Sequence, residues 1–422
     1  MERFIGLIGI VVIFLIAYLM SNNKKAINYR TVCVGLGLQI ALALFVFVFP
    51  IGAKIFDFIG HFIQKILEFA YEGGTFVFGP LLNNQRLADL FGNNSSIFTL
   101  QLICSSIFMM VLVNILYYYG IMQRIVAALG KAMNKIMKVS GAEALSNVAS
   151  AFVGQIVAQI MIKPYLEKLT RSELLASMAG SMACISGAIM PIYIGMGIDA
   201  KYLLASSVMA APGALILAKI IYPETGEPET RDNIRISRRR TYTNVFDAIS
   251  NGASDGMRVA INVTAMILAL VALVAFVDWI LGIGGVFMFK YCPGCSHFAF
   301  LNHLSLKLIL GKLFMWFALI LGVPFKDASI VGSLMGTKIV LNEMVAYVDL
   351  TQVKEMLSPK SIMIATFALC SFGNFGSIAI QIGGIGELAP NQRKNLARLG
   401  LRALICGTLS CYLSAAIVGI LI

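Results

Sequence analysis

Residues 336–350 read GTKIVLNEMVAYVDL, an apolar stretch that carries an amide and a carboxylate side by side at Asn342 and Glu343. Further on, SFGNFGS (371–377) sets Asn374 and Ser377 among two glycines, Gly373 and Gly376, that loosen a helix. Their chemistry is a polar grip. A carboxylate accepts hydrogen bonds and an amide both donates and accepts, so the pair can hold vicinal hydroxyls. Backbone groups released by an unwound helix can add sites for a cation or a polar solute. A lone carboxylate in apolar surroundings carries a heavy desolvation cost unless compensated. The plain alternatives are a hairpin tip in water for Glu343 and a packing break at Asn374. Their joint occurrence at matching depth in one half favours binding.

Chemistry of other kinds is not offered. GxxxxGK[ST] and HExxH are both absent, and no paired aspartates of an intramembrane protease stand out. The three histidines (His61, His297, His303) are scattered. The chain does not read as an enzyme.

The elements that must position these residues are set by composition. Of 422 residues, 59% are hydrophobic and 13% charged, with a mean hydropathy of +0.84, against about 25% charged in soluble proteins. Apolar runs recur at Phe4–Met20, Thr31–Phe49, Phe98–Tyr119, Leu203–Tyr222, Ala260–Val277 and Leu401–Ile422, and about 20 such residues cross a bilayer as a helix. The chain is therefore read as polytopic. Its first run is not a cleaved signal, because the basic residues Lys24, Lys25 and Arg30 follow it. The net charge of +12 gathers at Lys24–Arg30, at Arg124 to Lys138, at Arg231–Arg240 (with RISRRR at 235–240) and at Arg393–Arg402. With alternating spans all four clusters fall on one side, which is the positive-inside bias and not a nucleic-acid surface.

Six cysteines (Cys33, Cys104, Cys184, Cys370, Cys406, Cys411) sit alone in apolar sequence as small hydrophobes. Cys292 and Cys295 form CPGC in a segment placed outside, where a disulfide can form; a lone CxxC is weak evidence for metal.

The chain divides into an N-terminal part (1–97), a first repeat (98–222), a basic linker (223–255) and a second repeat (256–422). Each repeat runs span, surface helix, interrupted hairpin, glycine- and serine-broken helix, closing span. The expected fold is all-α, with about eight transmembrane helices, two re-entrant hairpins and two broken helices in an inverted repeat. Both termini then lie outside the cytoplasm and the linker inside. Interrupted segments at matching positions of two halves mark the binding site of a secondary transporter. Segment 53–97, around GNNSS (92–96), reads as an exterior surface helix and loop.

GTKIVLNEMVAY (336–347), SIMIATFALCSFGNFGSIAI (361–380) and ARLGLRALICGTLSCYLSAAIVG (397–419) resemble the C-terminal half of a concentrative nucleoside transporter. RTVCVGLGLQIALALFVF (30–47), EGGTFVFG (72–79), NILYYYGIMQRIV (114–126) and KPYLEKLTRSELLASMAGSMACISG (163–187) extend the likeness over nearly the whole chain. The resemblance implies a homotrimeric, multi-pass symporter of the inner membrane, with no cofactor beyond a coupling ion. Its transport domain moves between outward and inward positions against a trimeric scaffold. It assigns ribose binding to the Asn342–Glu343 motif, Asn374 and Ser377, with Phe372 lining the pocket.

Two parts depart from that family's pattern. Its first hairpin carries G-Q-(T/S/N)-E against the nucleobase, whereas this chain reads Gly154, Gln155, Ile156, Val157. Gln155 remains to read the base, and two β-branched alkyl groups replace a hydroxyl and an acid, so base selectivity is expected to differ. The family's sodium ligands map to Ser150, the Val153 carbonyl, Cys184 and the Ile185 carbonyl. A thiol suits a hard cation poorly. Proton coupling is the alternative to sodium, with Glu343 as an acid whose burial brings its titration toward neutral pH. The function expected is nucleoside import by proton or sodium symport. Alternatives are a transporter of another ribosylated or modified nucleoside-like compound, an uncoupled uniporter, and a non-transporting receptor.

Overall fold

The computed structural model describes residues 5–91, 97–187, 189–231, 242–291 and 305–421. The stretch 92–96, the basic run 235–240, Cys292 and Cys295, and His297 and His303 lie outside the described residues. Regular structure among the described residues is helical throughout.

The N-terminal part holds α1 (Ile5–Leu19), α2 (Tyr29–Phe47), α3 (Pro50–Phe78) and α4 (Asn84–Phe91). Asn28 caps α2 by accepting from Thr31 N, and a proline opens α3. The first repeat opens with the span α5 (Phe98–Tyr118) and the amphipathic α6 (Ile121–Met137). Its hairpin is α7 (Gly141–Val153) returning through the short α8 (Val157–Met161) and α9 (Lys163–Leu166). The tip turns at Gly154, whose φ of +86° favours glycine. The broken helix is α10 (Arg171–Ala183) plus α11 (Met190–Gly195), and α12 (Ala200–Ile221) closes the repeat.

The second repeat starts with α13 (Val245–Tyr291). It begins inside the stretch read as linker, because Asn244 accepts from Asp247 N at 2.8 Å and starts the helix in polar sequence. Next come α14 (Leu306–Ile320) and, after a 118° bend, α15 (Phe325–Val340), the first arm of the second hairpin. Its second arm is α16 (Glu343–Val353). The second broken helix is α17 (Pro359–Leu369) plus α18 (Phe375–Leu388), and α19 (Arg393–Leu421) ends the described chain.

The expected spans fall on α1, α2, α5, α10/α11, α12, α13, α17/α18 and α19. Of these, α2, α5, α12, α13 and α19 are long and apolar enough to cross a membrane unbroken. Their burial sorts them: 89% of the apolar window of α12 and 83% of that of α19 are buried, against 11% for α13. The core therefore forms around α12 and α19, and α13 presents Leu268, Phe276 and Trp279 outward. Small residues allow the close approach; a Cβ on Gly180 of α10 would overlap the Asn147 amide of α7.

Polar bonds tie α19 to both halves. Ser410 Oγ donates to Ala210 O at 2.8 Å, and the Cys411 thiol lies 3.0 Å from Ala183 O and 3.5 Å from Cys370 O. Gln39 of α2 donates to Met209 O (2.9 Å) and Ser414 Oγ (3.2 Å).

Each hairpin is fastened at its base by a carboxylate. Ser140 and Glu143 form a capping box at α7, and Thr170 and Glu173 form one at α10. Glu143 also pairs with Lys219 of α12 at 2.8 Å, and Lys219 reaches Ser172 (2.9 Å) and Glu224 (3.3 Å). In the second half, Asp327 accepts from Ser358 N (3.1 Å), Ser358 Oγ (2.8 Å) and Ser361 Oγ (2.6 Å).

Candidate functional site

Half-helices begin and end around Glu343. The second hairpin turns at Leu341 and Asn342, and Asn342 Oδ1 caps α16 by accepting from Val345 N at 2.9 Å. Asn374 does the same for α18, its Oδ1 accepting from Ser377 N at 2.9 Å. Both asparagines thus use their oxygen as a helix cap and keep their NH2 for other partners. Glu343 is the first residue of α16, where the helix dipole favours a negative charge.

Glu343 is 6% exposed, and its carboxylate accepts two side-chain bonds. Tyr193 OH of α11 donates to Oε1 at 3.0 Å, and Asn374 Nδ2 donates to Oε2 at 3.4 Å. The Tyr193 ring lies 4.6 Å from that of Tyr347, whose hydroxyl donates to Thr366 O at 2.9 Å. Ser377 Oγ donates to Phe372 O and thereby pins the unwound segment. Asn342 Nδ2 is buried without a hydrogen-bond partner among the described residues, a donor left for a guest.

The first hairpin reaches the same region. Gln155 Oε1 accepts from Gln381 Nε2 of α18 at 3.4 Å. Ile156 packs on Gly384 of α18, where a Cβ would collide with it. Val157 opens α8 and is 40% exposed.

The four candidate cation positions lie on two chain segments that touch, since Gly187 N donates to Phe152 O at 3.2 Å. The Ser150 and Cys184 side chains are turned to other partners. Ser150 Oγ donates to Ser146 O (2.7 Å) and sits 2.9 Å from Ser181 Oγ, which accepts from Gln159 Nε2 at 2.9 Å. The Cys184 thiol points to Ser207 O of α12 at 3.7 Å. For a hard cation the set offers one engaged hydroxyl, one thiol and the carbonyls of Val153 and Ile185, a poor fit.

Sequence reasoning missed Tyr193, Gln381 and Gln159. The four-residue spacing of Gln155 and Gln159 in an apolar stretch was a usable signal for one of them; the others depend on tertiary contact.

A membrane protein whose two interrupted hairpins and two broken helices bring half-helix ends onto buried polar side chains is built as a secondary transporter. Residues 202–419 match the family described as "Na+ dependent nucleoside transporter C-terminus", 8–81 its "N-terminus", and 99–200 the family described as "Nucleoside recognition". The chain is 38% identical over 422 residues to the nucleoside permease NupC of Helicobacter pylori, covering 99% of this chain and 97% of that protein. It is 34% identical over 438 residues to sodium/nucleoside cotransporter 1 of Rattus norvegicus, covering all of this chain and 64% of that protein. The solved structure of CNTnw in an inward-facing substrate-bound state superposes with a TM-score of 0.91 at 37% identity, covering 100% of this chain and 98% of that one. The chain belongs to the concentrative nucleoside transporter family. It is a multi-pass membrane transporter and not an enzyme.

Proposed function

We propose that this transporter imports nucleosides across the inner membrane by proton symport, as a homotrimer working by alternating access. The observation that carries the reading is the convergence of Glu343, Asn342 and Asn374 at two capped half-helix starts. A buried carboxylate flanked by amide NH2 groups matches the donors and acceptors of a ribose diol. Phe372 and Ser377 shape the floor of that site, and Gln155 is the polar group that meets the base. Ile156 and Val157 offer the base no hydrogen bond, which favours a second reading, a modified or otherwise ribosylated nucleoside-like substrate. Competition by common nucleosides separates the two.

Proton coupling is favoured over sodium by the engaged Ser150 hydroxyl and the averted Cys184 thiol. Only the loaded or the empty site lets the transport domain cross, and that coupling converts a gradient into accumulation. The test is uptake of labelled uridine and adenosine into proteoliposomes under an inward proton gradient or an inward sodium gradient, each imposed alone. Accumulation driven by protons alone supports the reading. Accumulation driven by sodium alone overturns the coupling assignment. Equilibration unaffected by either gradient identifies a uniporter.

A further inference from the structure

The side chain of Gln381, on α18, is fully buried. It lies one turn beyond Ser377 and one turn before Gly384, so the three share a face of the helix. That face receives the tip of the first hairpin. Ile156 fills the notch at Gly384, where a Cβ would lie 2.3 Å from its Cδ1, and its neighbour Gln155 meets Gln381. Gln381 Nε2 donates to Gln155 Oε1 at 3.4 Å and to Met178 O of α10 at 3.5 Å, both long bonds. Its Oε1 is buried without a hydrogen-bond partner among the described residues.

The two ends of a carboxamide are alike in shape and opposite in polarity, so the neighbours decide which end points where. A backbone carbonyl is a fixed acceptor, and Met178 O therefore sets the sense. Reversing the Gln381 amide would place oxygen against that carbonyl. It would also move an NH2 to where Oε1 now stands unanswered, and buried orphan donors are rarer than orphan carbonyls. With Gln381 held as the donor, Gln155 must turn its oxygen toward it. The Gln155 NH2 is the end left over, and it has no acceptor among the described residues. Gln155 is half-buried and Gln381 has no exposed surface, so of the two only Gln155 can reach a guest.

We propose that Gln381 is a positioning residue that fixes the polarity of Gln155, so that the transporter prefers bases with an oxo group on the recognised edge (uracil, hypoxanthine) to bases with an amino group there (cytosine, adenine). The proposal rests on the reading of Gln155 as the group that meets the base. An oxo group accepts from the Gln155 NH2, whereas an amino group faces it donor against donor and is left unpaired. Ile156 and Val157 beside it carry no side-chain group that could answer the amino group. Gln381 does not touch the substrate; it acts through Gln155.

The test titrates purified full-length protein in nanodiscs with two ligand pairs, uridine with cytidine and inosine with adenosine, each alike in sugar and ring size. In the wild type the oxo member of each pair is expected to bind about tenfold more tightly. Gln381→Met, similar in length and without the amide, should bring both ratios to within about twofold of unity. The affinity lost on going from uridine to 3′-deoxyuridine should stay as in wild type. Gln381→Leu is the variant read should Gln381→Met not fold, and the wild-type ratios need no variant at all. A wild type that binds the amino member as tightly as the oxo member overturns the proposal. Ratios unmoved in Gln381→Met, even where all four ligands weaken together, also overturn it and leave Gln381 a packing residue. Gln155→Leu separates the proposal from the reading beneath it. Ratios lost in Gln155→Leu but kept in Gln381→Met remove the role of Gln381 alone; ratios kept in Gln155→Leu remove the base reading and the proposal with it.

Discussion

Glu343→Gln isolates what the carboxylate contributes to sugar recognition. In the wild type, Oε1 takes the Tyr193 hydroxyl at 3.0 Å and Oε2 takes the Asn374 amide at 3.4 Å, and each oxygen keeps further lone-pair capacity for a sugar hydroxyl. Glutamine keeps one acceptor oxygen, which Tyr193 occupies, and turns an NH2 toward the Asn374 NH2, setting donor against donor. Hydrogen bonds to a charged group contribute about 1.5–3 kcal/mol each. Removing the 2′- or 3′-hydroxyl should therefore weaken wild-type binding roughly 10–150-fold. The two losses should sum to less than full additivity, because both hydroxyls share one carboxylate. Equilibrium binding of uridine, 2′-deoxyuridine and 3′-deoxyuridine to both proteins completes a double-mutant cycle. In Glu343→Gln the deoxy penalty should shrink to less than about threefold, and uptake should be severely reduced. A full deoxy penalty surviving in the glutamine protein refutes the assignment, as does a wild type indifferent to both hydroxyls.

Three further outcomes are expected. Tyr193→Phe removes the hydroxyl that orients Glu343 but keeps the ring against Tyr347, so uridine Kd should rise about tenfold with thermal unfolding unchanged. The double change Ile156→Thr with Val157→Glu restores polar groups to the first hairpin and should alter the order in which purine and pyrimidine nucleosides compete; an identical competition profile counts against placing that hairpin at the base. Lys219→Met strands the buried Glu143 carboxylate and should destabilise the protein by about 3–5 kcal/mol, read as a lower unfolding midpoint in detergent, with Glu143→Gln in the same chain recovering much of the loss.

The parts of this molecule that were legible in its sequence are those where a local pattern suffices. Glu343, Asn374 and the glycines around 373–376 stand out because polar and helix-loosening residues are rare in apolar spans. The repeat was visible because its punctuation recurs in the same order. The start of α13 was not visible: its first turns are polar, and polar sequence after a basic run reads as linker until Asn244 is seen capping it. Tyr193 lies in MPIYIG, where a tyrosine reads as one more large apolar residue; only the tertiary fold turns its hydroxyl onto Glu343 from a position 150 residues away in sequence. Gln381 gains meaning only through Gln155, which belongs to the other repeat.

The interleaving of α19 with both halves bears on how the protein is made. Gln39 enters the membrane early, but its amide partner Ser414 lies 375 residues further along the chain, and the acceptors Ala183 and Cys370 wait for Cys411. During synthesis the earlier helices must sit in lipid with buried polar groups unanswered, a costly state that closes only when the last helix arrives. Maturation should therefore be late and abrupt, with ribosome-bound chains stalled before residue 400 remaining protease-sensitive at both hairpins and completed chains becoming resistant at both together.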